Sequence, residues 1–281
     1  MAFPEYKEFR KAVLTSQARQ ISNSFSKSSV IEFLQLPLQK MTQAEAIRLL
    51  LDRCLKRQSG RIYFVNAHTV VTSQRQPEFK RALTCADLLL PDGSGVLWGS
   101  RLLGRPIRFN LNGTDLIPAL FGMEEAKELS VYLLGAKPGV AGEVARNLKQ
   151  AYPNLRIVGL QHGYYEPNEK EAVLEKIRNA KPHILLVAMG VPMQELWIDE
   201  NAKDLPGITC VGVGGLFDFL AKRVPRAPYA IRYVGLEWLW RLLVEPRRLW
   251  YRYTVGNFIF MGLIARRFWS MIRKEPFARQ S

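Results

Sequence analysis

Residues 129–190 read LSVYLLGAKPGVAGEVARNLKQAYPNLRIVGLQHGYYEPNEKEAVLEKIRNAKPHILLVAMG. Three short apolar runs, at 129–135, 154–160 and 183–190, are separated by two longer segments, 139–152 and 168–180, that read as helices. The runs are almost continuously apolar rather than alternating, as expected of strands buried on both faces. Strand–helix–strand units of this kind build a parallel sheet with helices packed on each side.

The alternation extends in both directions. Upstream, MTQAEAIRLLLDRCLKRQ (41–58) is a predicted helix with Thr42 at its N-cap, Glu45 completing a capping box and Gly60 beyond its end. RIYFVNA (61–67) is a strand, 69–83 a helix, and DLLLPDG (87–93) a strand ending in a turn. Residues 96–103 and 114–121 are helices, the second with Pro118 in or near its first turn. Downstream, 192–202 is a helix opened by Pro192, and ITCVGVGG (208–215) is the last strand. The prediction is an α/β fold, a Rossmann-like, mostly parallel sheet with helices on both faces, spanning 36–224. Residues 1–35 read as a flexible polar leader. VPRAP (224–228) would interrupt a helix and marks the start of a C-terminal appendage, 225–281, that is helical, basic and aromatic.

Charge is concentrated in that appendage. Residues 221–281 carry thirteen Lys/Arg against three Glu, two thirds of the chain's net charge of +15, and four of the six tryptophans: Trp238, Trp240, Trp250 and Trp269. Clustered cations with amphipathic rings describe a segment that lies on an anionic membrane surface or clamps a phosphate-rich ligand. A plain helical pair with a solvated basic face is the alternative. The longest apolar stretch, 254–265, is twelve residues and contains Gly256 and Asn257, too short to span a bilayer. The N-terminus has no apolar run behind its charges and does not read as a signal peptide. Cys54, Cys85 and Cys210 are odd in number and widely spaced, which fits neither a disulfide framework nor a metal knuckle.

Ligands of parallel sheets bind beyond the carboxyl ends of the strands, so the residues following each run are the candidates. Asp92 closes an apolar run and precedes Gly93 on a tight turn, where a carboxylate could take a proton from a hydroxyl nucleophile. An Asp-Gly turn with a solvated side chain is the competing reading. Asp115, in NGTD, is a second candidate or a helix cap. Asn66 and His68 follow a strand, whereas His183 at the start of one reads as structural. Glycines recur at strand ends, among them Gly93, Gly135 and Gly190, where backbone N–H groups could approach phosphate. No dinucleotide fingerprint, Walker lysine or GxSxG motif is present. In the appendage Arg241 and Arg248 are seven apart and would share a face if the helix runs through Pro246.

The motifs NAHT (66–69), PDGSG (91–95), NGTD (112–115), LLGAKP (133–138), GVPMQE (190–195) and RAP…GLEWLWRL…EPRR (226–248) resemble, in order, those of the WecG/TagA/CpsF glycosyltransferases (glycosyltransferase family 26) over roughly 36–253. The resemblance implies an inverting, metal-independent enzyme with no cofactor, working in cell-surface or extracellular polysaccharide synthesis. It moves a sugar from a UDP-sugar to a polyprenyl-diphosphate-linked saccharide, in the cytoplasm and peripheral on the inner face of the bacterial membrane. Asp92 matches the family's general base. Gln194 and Asn66 match a glutamine and an asparagine of its pocket, and His68, Gly93, Asn112, Gly113, Asp115, Gly135 and Gly190, at strand ends or within the motifs, join them as candidate substrate-binding residues. Arg241 and Arg248 match arginines that close over the donor diphosphate while the appendage meets an anionic membrane surface. Two departures leave the donor sugar open between a hexose and an acylamino sugar. Asn110 stands where many members have arginine, with Arg108 nearby, and Tyr251 stands at a further arginine position, with Arg252 next. Without a membrane, the apolar appendage could pack on a second subunit as a homo-oligomer. Two other classes are weighed against this: a basic nucleic-acid-binding protein and a nucleotide-dependent oxidoreductase. The modest charge outside the tail argues against nucleic acid as a partner, and the missing fingerprint argues against the oxidoreductase.

Overall fold

The structure, a computed structural model, describes residues 29–274. It opens with a hairpin, β1 (Ser29–Phe33) and β2 (Leu36–Lys40), followed by α1 (Gln43–Leu55), β3 (Gly60–Val65), α2 (Ala67–Arg75), α3 (Pro77–Thr84), β4 (Leu88–Pro91), α4 (Ser94–Leu102) and α5 (Gly113–Phe121). Next come β5 (Ser130–Gly135), α6 (Val140–Ala151), β6 (Arg156–Gln161), α7 (Lys170–Ala180), β7 (Ile184–Ala188), α8 (Met193–Asn201), β8 (Thr209–Gly212) and α9 (Leu216–Leu220). Four helices form the appendage: α10 (Tyr229–Tyr233), α11 (Glu237–Val244), α12 (Pro246–Tyr253) and α13 (Val255–Lys274).

Strands β3 to β8 form one parallel sheet in the order β4-β3-β8-β7-β5-β6. Side chains alternate between its faces. Ile62, Phe64, Ile184 and Leu186 enter one core beneath α1, α5, α6 and α9. Tyr63, Val65, Leu185 and Val187 enter a second beneath α2, α3, α7 and α8. Both faces are therefore buried, as the apolar runs require. From β3 the chain steps outward to β4, and from β5 it steps outward the opposite way to β6. Loops leaving the carboxyl ends diverge between them and open a crevice there.

Four expectations change. The hairpin occupies residues 29–40, so the end of the expected leader is structured; residues 1–28 lie outside the described residues. Its two-residue turn, Leu34 and Gln35, takes positive φ at both positions (47° and 68°), a geometry usually given to Asn-Gly. The helix expected over 69–83 is two, because Pro77 cannot donate to the preceding turn and instead opens α3. Pro118 sits in the second turn of α5 rather than its first. The helix carrying Arg241 does not run through Pro246; it ends before Glu245, and Pro246 starts α12.

The appendage is seated in the second core by α13. Phe260 and Ile264 are buried there, with Phe260 tilted against Phe33 at a centroid distance of 6.4 Å. A side chain at Gly99 of α4 would meet Ile264 Cδ1 at 2.8 Å, so this glycine permits the close approach. Burying these two side chains stabilises the docked helix by about 2 kcal/mol each.

Candidate active site

Asp92 lies directly beyond β4, beside the end of β3, with its N–H donating to Val65 O at 2.8 Å. Gly93 takes φ +85°, which turns the chain sharply into α4, and its N–H donates to Asn110 Oδ1 at 2.8 Å. Asn110 thus braces the turn that carries the carboxylate. Asn66 is the N-cap of α2, accepting from Thr69 N at 3.1 Å, and its Nδ2 donates to Asp92 Oδ2 at 3.1 Å. One asparagine therefore satisfies a helix end and fixes the orientation of Asp92.

Part of Asp92 remains accessible at the floor of the crevice, yet protein surrounds it. Desolvation raises its pKa, while the Asn66 hydrogen bond and the charges of Arg252 and Arg241 lower it and Asp115 raises it. A carboxylate made more basic while remaining partly accessible suits proton abstraction. His68 sits in the first turn of α2, where burial, with Arg252, pushes its pKa down to about 4. Its imidazole is neutral at physiological pH and can donate or accept a hydrogen bond.

The appendage supplies the opposite wall. The turn before α11 is pinned to the floor: Ser94 Oγ donates to Gly235 O at 2.9 Å. Arg241 and Arg248 converge over Gly215, despite the break between their helices. A Cβ at Gly215 would lie 2.8 Å from Arg241 Nη2 and 3.9 Å from Arg248 Nη2. Arg241 stacks on Phe219 at 4.8 Å, and Arg248 pairs with Asp218 at 3.3 Å and Glu245 at 2.7 Å. Arg252 is partly buried, and burial lowers its pKa, but a guanidinium stays charged. Neither Arg241 nor Arg252 has an ion-pair partner among the described residues, and the Nε of each is buried without a hydrogen bond. Two partly buried cations without ion-pair partners, close enough to Asp92 to lower its pKa, form a ready anion site.

The other expected residues serve mainly as framework. Asn112 caps α5, accepting from Asp115 N at 2.8 Å and donating from Nδ2 to Asp115 Oδ2 at 2.8 Å. Asp115 is ion-paired with Arg226 and lies 3.9 Å from Arg232 Nη1, tying the start of the appendage to α5. Gly113 packs under Phe64, where a Cβ would meet Cε2 at 3.0 Å. At Gly135, with φ +129°, a Cβ would lie 2.5 Å from the Ala188 backbone, so close strand approach explains that glycine. Gly190 (φ +81°) has open space around it, as does Gly93. Gln194 is buried: its Oε1 accepts from Gly214 N at 2.8 Å and its Nε2 donates to Glu195 Oε1 at 2.8 Å. It holds the glycine loop on which Arg241 rests. Burial pushes the Glu195 pKa up to about 7, and its Oε2 has no partner. His183 accepts from Ser130 N at 3.1 Å at the far end of the sheet, in keeping with a structural role.

Arg252, noted from the sequence only as the neighbour of Tyr251, and Glu237, not singled out there, also belong to the candidate site. Arg252 follows Arg248 by four, the spacing that shares a helix face, whereas Tyr251 points outward and is 51% exposed. That spacing within α12 was the available signal. Among the described residues, no group of three His, Cys, Asp or Glu side chains could hold a metal ion, and no helix is long and apolar enough to cross a membrane.

Comparison with known sequences identifies the family. The profile of the Glycosyl transferase WecG/TagA/CpsF family matches residues 31–274. The N-acetylglucosaminyldiphosphoundecaprenol N-acetyl-beta-D-mannosaminyltransferase of Bacillus spizizenii is 34% identical over 176 residues, covering 63% of this chain and 68% of that protein. The protein of the same name from Bacillus subtilis is 32% identical over 184 residues, 66% of this chain and 71% of that one. With a family profile matched from the first hairpin to the last helix, the chain belongs to the WecG/TagA/CpsF family and is a glycosyltransferase.

Proposed function

We propose that this enzyme transfers a sugar from a UDP-sugar to a hydroxyl of a polyprenyl-diphosphate-linked saccharide, in a single displacement that inverts the anomeric centre and needs no metal. The observation that carries the reading is the oriented Asp92 carboxylate facing unpaired Arg241 and Arg252 across one crevice. Asp92 takes the proton of the acceptor hydroxyl as that oxygen attacks the anomeric carbon. The bond to the diphosphate breaks, and Arg241, Arg248 and Arg252 neutralise the charge that develops on departing UDP. Asn66 holds the base, and His68, Gly93 and Gly190 border the space left for substrate. The names of the two Bacillus relatives support an N-acetylglucosaminyl-diphosphoundecaprenol type of acceptor.

The acceptor's lipid would be reached at the inner face of the cell membrane, and α13 carries a surface for it. Phe258 (81% exposed), Met261, Trp269 (61% exposed) and Ile272 form an outward stripe, with exposed Phe268 at its edge next to the face that buries Phe260 and Ile264. Arg266 and Arg273 flank it. An apolar stripe edged by cations lies in an anionic interface. Without lipid, the same stripe would pair two copies of the chain, so vesicles should dissolve any dimer seen by size exclusion.

Turnover tests the reading. UDP release is followed with a donor panel and a short polyprenyl-diphosphate monosaccharide. Release that requires one donor and the lipid acceptor, and persists in EDTA, is expected; no release from any donor, or its loss in EDTA, contradicts the reading.

A further inference from the structure

Glu237 opens α11, four residues before Arg241, so the two side chains lie on one face of the helix a turn apart. The Ser94–Gly235 hydrogen bond fixes the start of this helix at the residue that follows the Asp92–Gly93 turn. Glu237 is partly buried, and no hydrogen bond or ion pair engages its carboxylate among the described residues. Burial pushes its pKa up, Asp115 and Asp92 add to that, and Arg226 and Arg241 oppose it. The carboxyl therefore lies within electrostatic reach of both the base and the arginine wall. Its oxygens are not sealed from solvent, so a ligand entering here displaces water and must supply the hydrogen bonds that water gave.

The reaction geometry fixes what that is. In a single displacement the attacking oxygen, the anomeric carbon and the leaving oxygen are nearly in line. With Asp92 at one end and the arginines at the other, the ring being transferred lies between them, alongside Glu237. A carboxylate accepts hydrogen bonds and repels phosphate, and its two oxygens match the hydroxyls of a sugar ring. We propose that Glu237 is a specificity-determining residue, brought to the site by the appendage, that binds hydroxyls of the transferred sugar. This assignment rests on the transferase reading above. It also gives the appendage two tasks on one helix face: Arg241 takes the diphosphate and Glu237 reads the sugar.

The test uses the full chain and its Glu237→Gln and Glu237→Ala variants. kcat/KM is measured with the preferred UDP-sugar and its ring epimers, and UDP affinity by calorimetry. UDP affinity should not fall, since the nucleotide does not touch Glu237 and losing a negative charge beside Arg241 can only favour phosphate. For the preferred donor kcat/KM should fall by about 10- to 100-fold, the worth of hydrogen bonds to a charged group. Epimers should lose less, narrowing the preference, and Gln should retain more activity than Ala. Equal losses for every donor together with weakened UDP binding would mark a structural role and overturn the assignment. An unchanged preference in both variants would overturn it while leaving the transferase reading intact. A wild-type chain that releases no UDP from any donor would bring down both.

Discussion

The two sides of the crevice are built on opposite principles. On the floor, contributed by the sheet, polar side chains are committed: Asn66 to Thr69 and Asp92, Asn110 to Gly93, Asn112 to Asp115, Gln194 to Gly214 and Glu195. On the appendage wall, Arg241, Arg252 and Glu237 are partly buried, and their side chains have no ion-pair or hydrogen-bond partner among the described residues. A satisfied network holds a catalytic group rigid, whereas unpaired buried charge raises the energy of the empty site and is relieved by a complementary ligand. The floor prepares the chemistry and the wall waits for charge and hydroxyls.

Replacing Asp92 with Asn should break the floor's chemistry while sparing its framework. We expect kcat to fall by about 10²- to 10⁴-fold, the usual worth of a general base, with an unchanged melting temperature. Turnover at the wild-type rate would remove Asp92 from the mechanism. On the wall, Arg252→Ala should lower kcat/KM by about 10²- to 10³-fold. It should also move the acid limb of the pH–rate profile upward, because the Arg252 charge lowers the Asp92 pKa and its loss lets that pKa rise. Tyr251→Ala, altering the outward neighbour, should do neither. Equal effects at 251 and 252 would mean that the face assignment in α12 is wrong.

Asn66→Ala joins the two concerns at the smallest scale. Losing the cap should cost about 1 kcal/mol of stability, read by denaturant unfolding. Losing the hydrogen bond to Asp92 should shift the acid limb upward as well. A stability loss with no change in the pH profile would confine Asn66 to capping.

The sheet was legible because its strands are buried on both faces and announce themselves as apolar runs; Leu185 and Leu186 face opposite cores and both must be apolar. The hairpin was not, because Leu34–Gln35 carries none of the residues that usually take a left-handed turn. Asp92 could be read from its place at a strand end. Arg252 could not be fixed by matching positions, since the break at Glu245 resets the helical phase and only the count from Arg248 within α12 points it inward. Glu237 was hidden for a related reason. It sits in a motif whose arginine attracts notice, and its chemistry depends on how α11 is pinned across the crevice to Ser94.

The division between floor and wall is tested most directly by UDP affinity, measured calorimetrically on the wild type, Asp92→Asn and Arg252→Ala. Asp92→Asn should bind UDP as tightly as the wild type or more so, having lost a negative charge near the phosphates, while Arg252→Ala should bind it at least about tenfold more weakly. Full affinity in Arg252→Ala, or a loss confined to Asp92→Asn, would contradict the account.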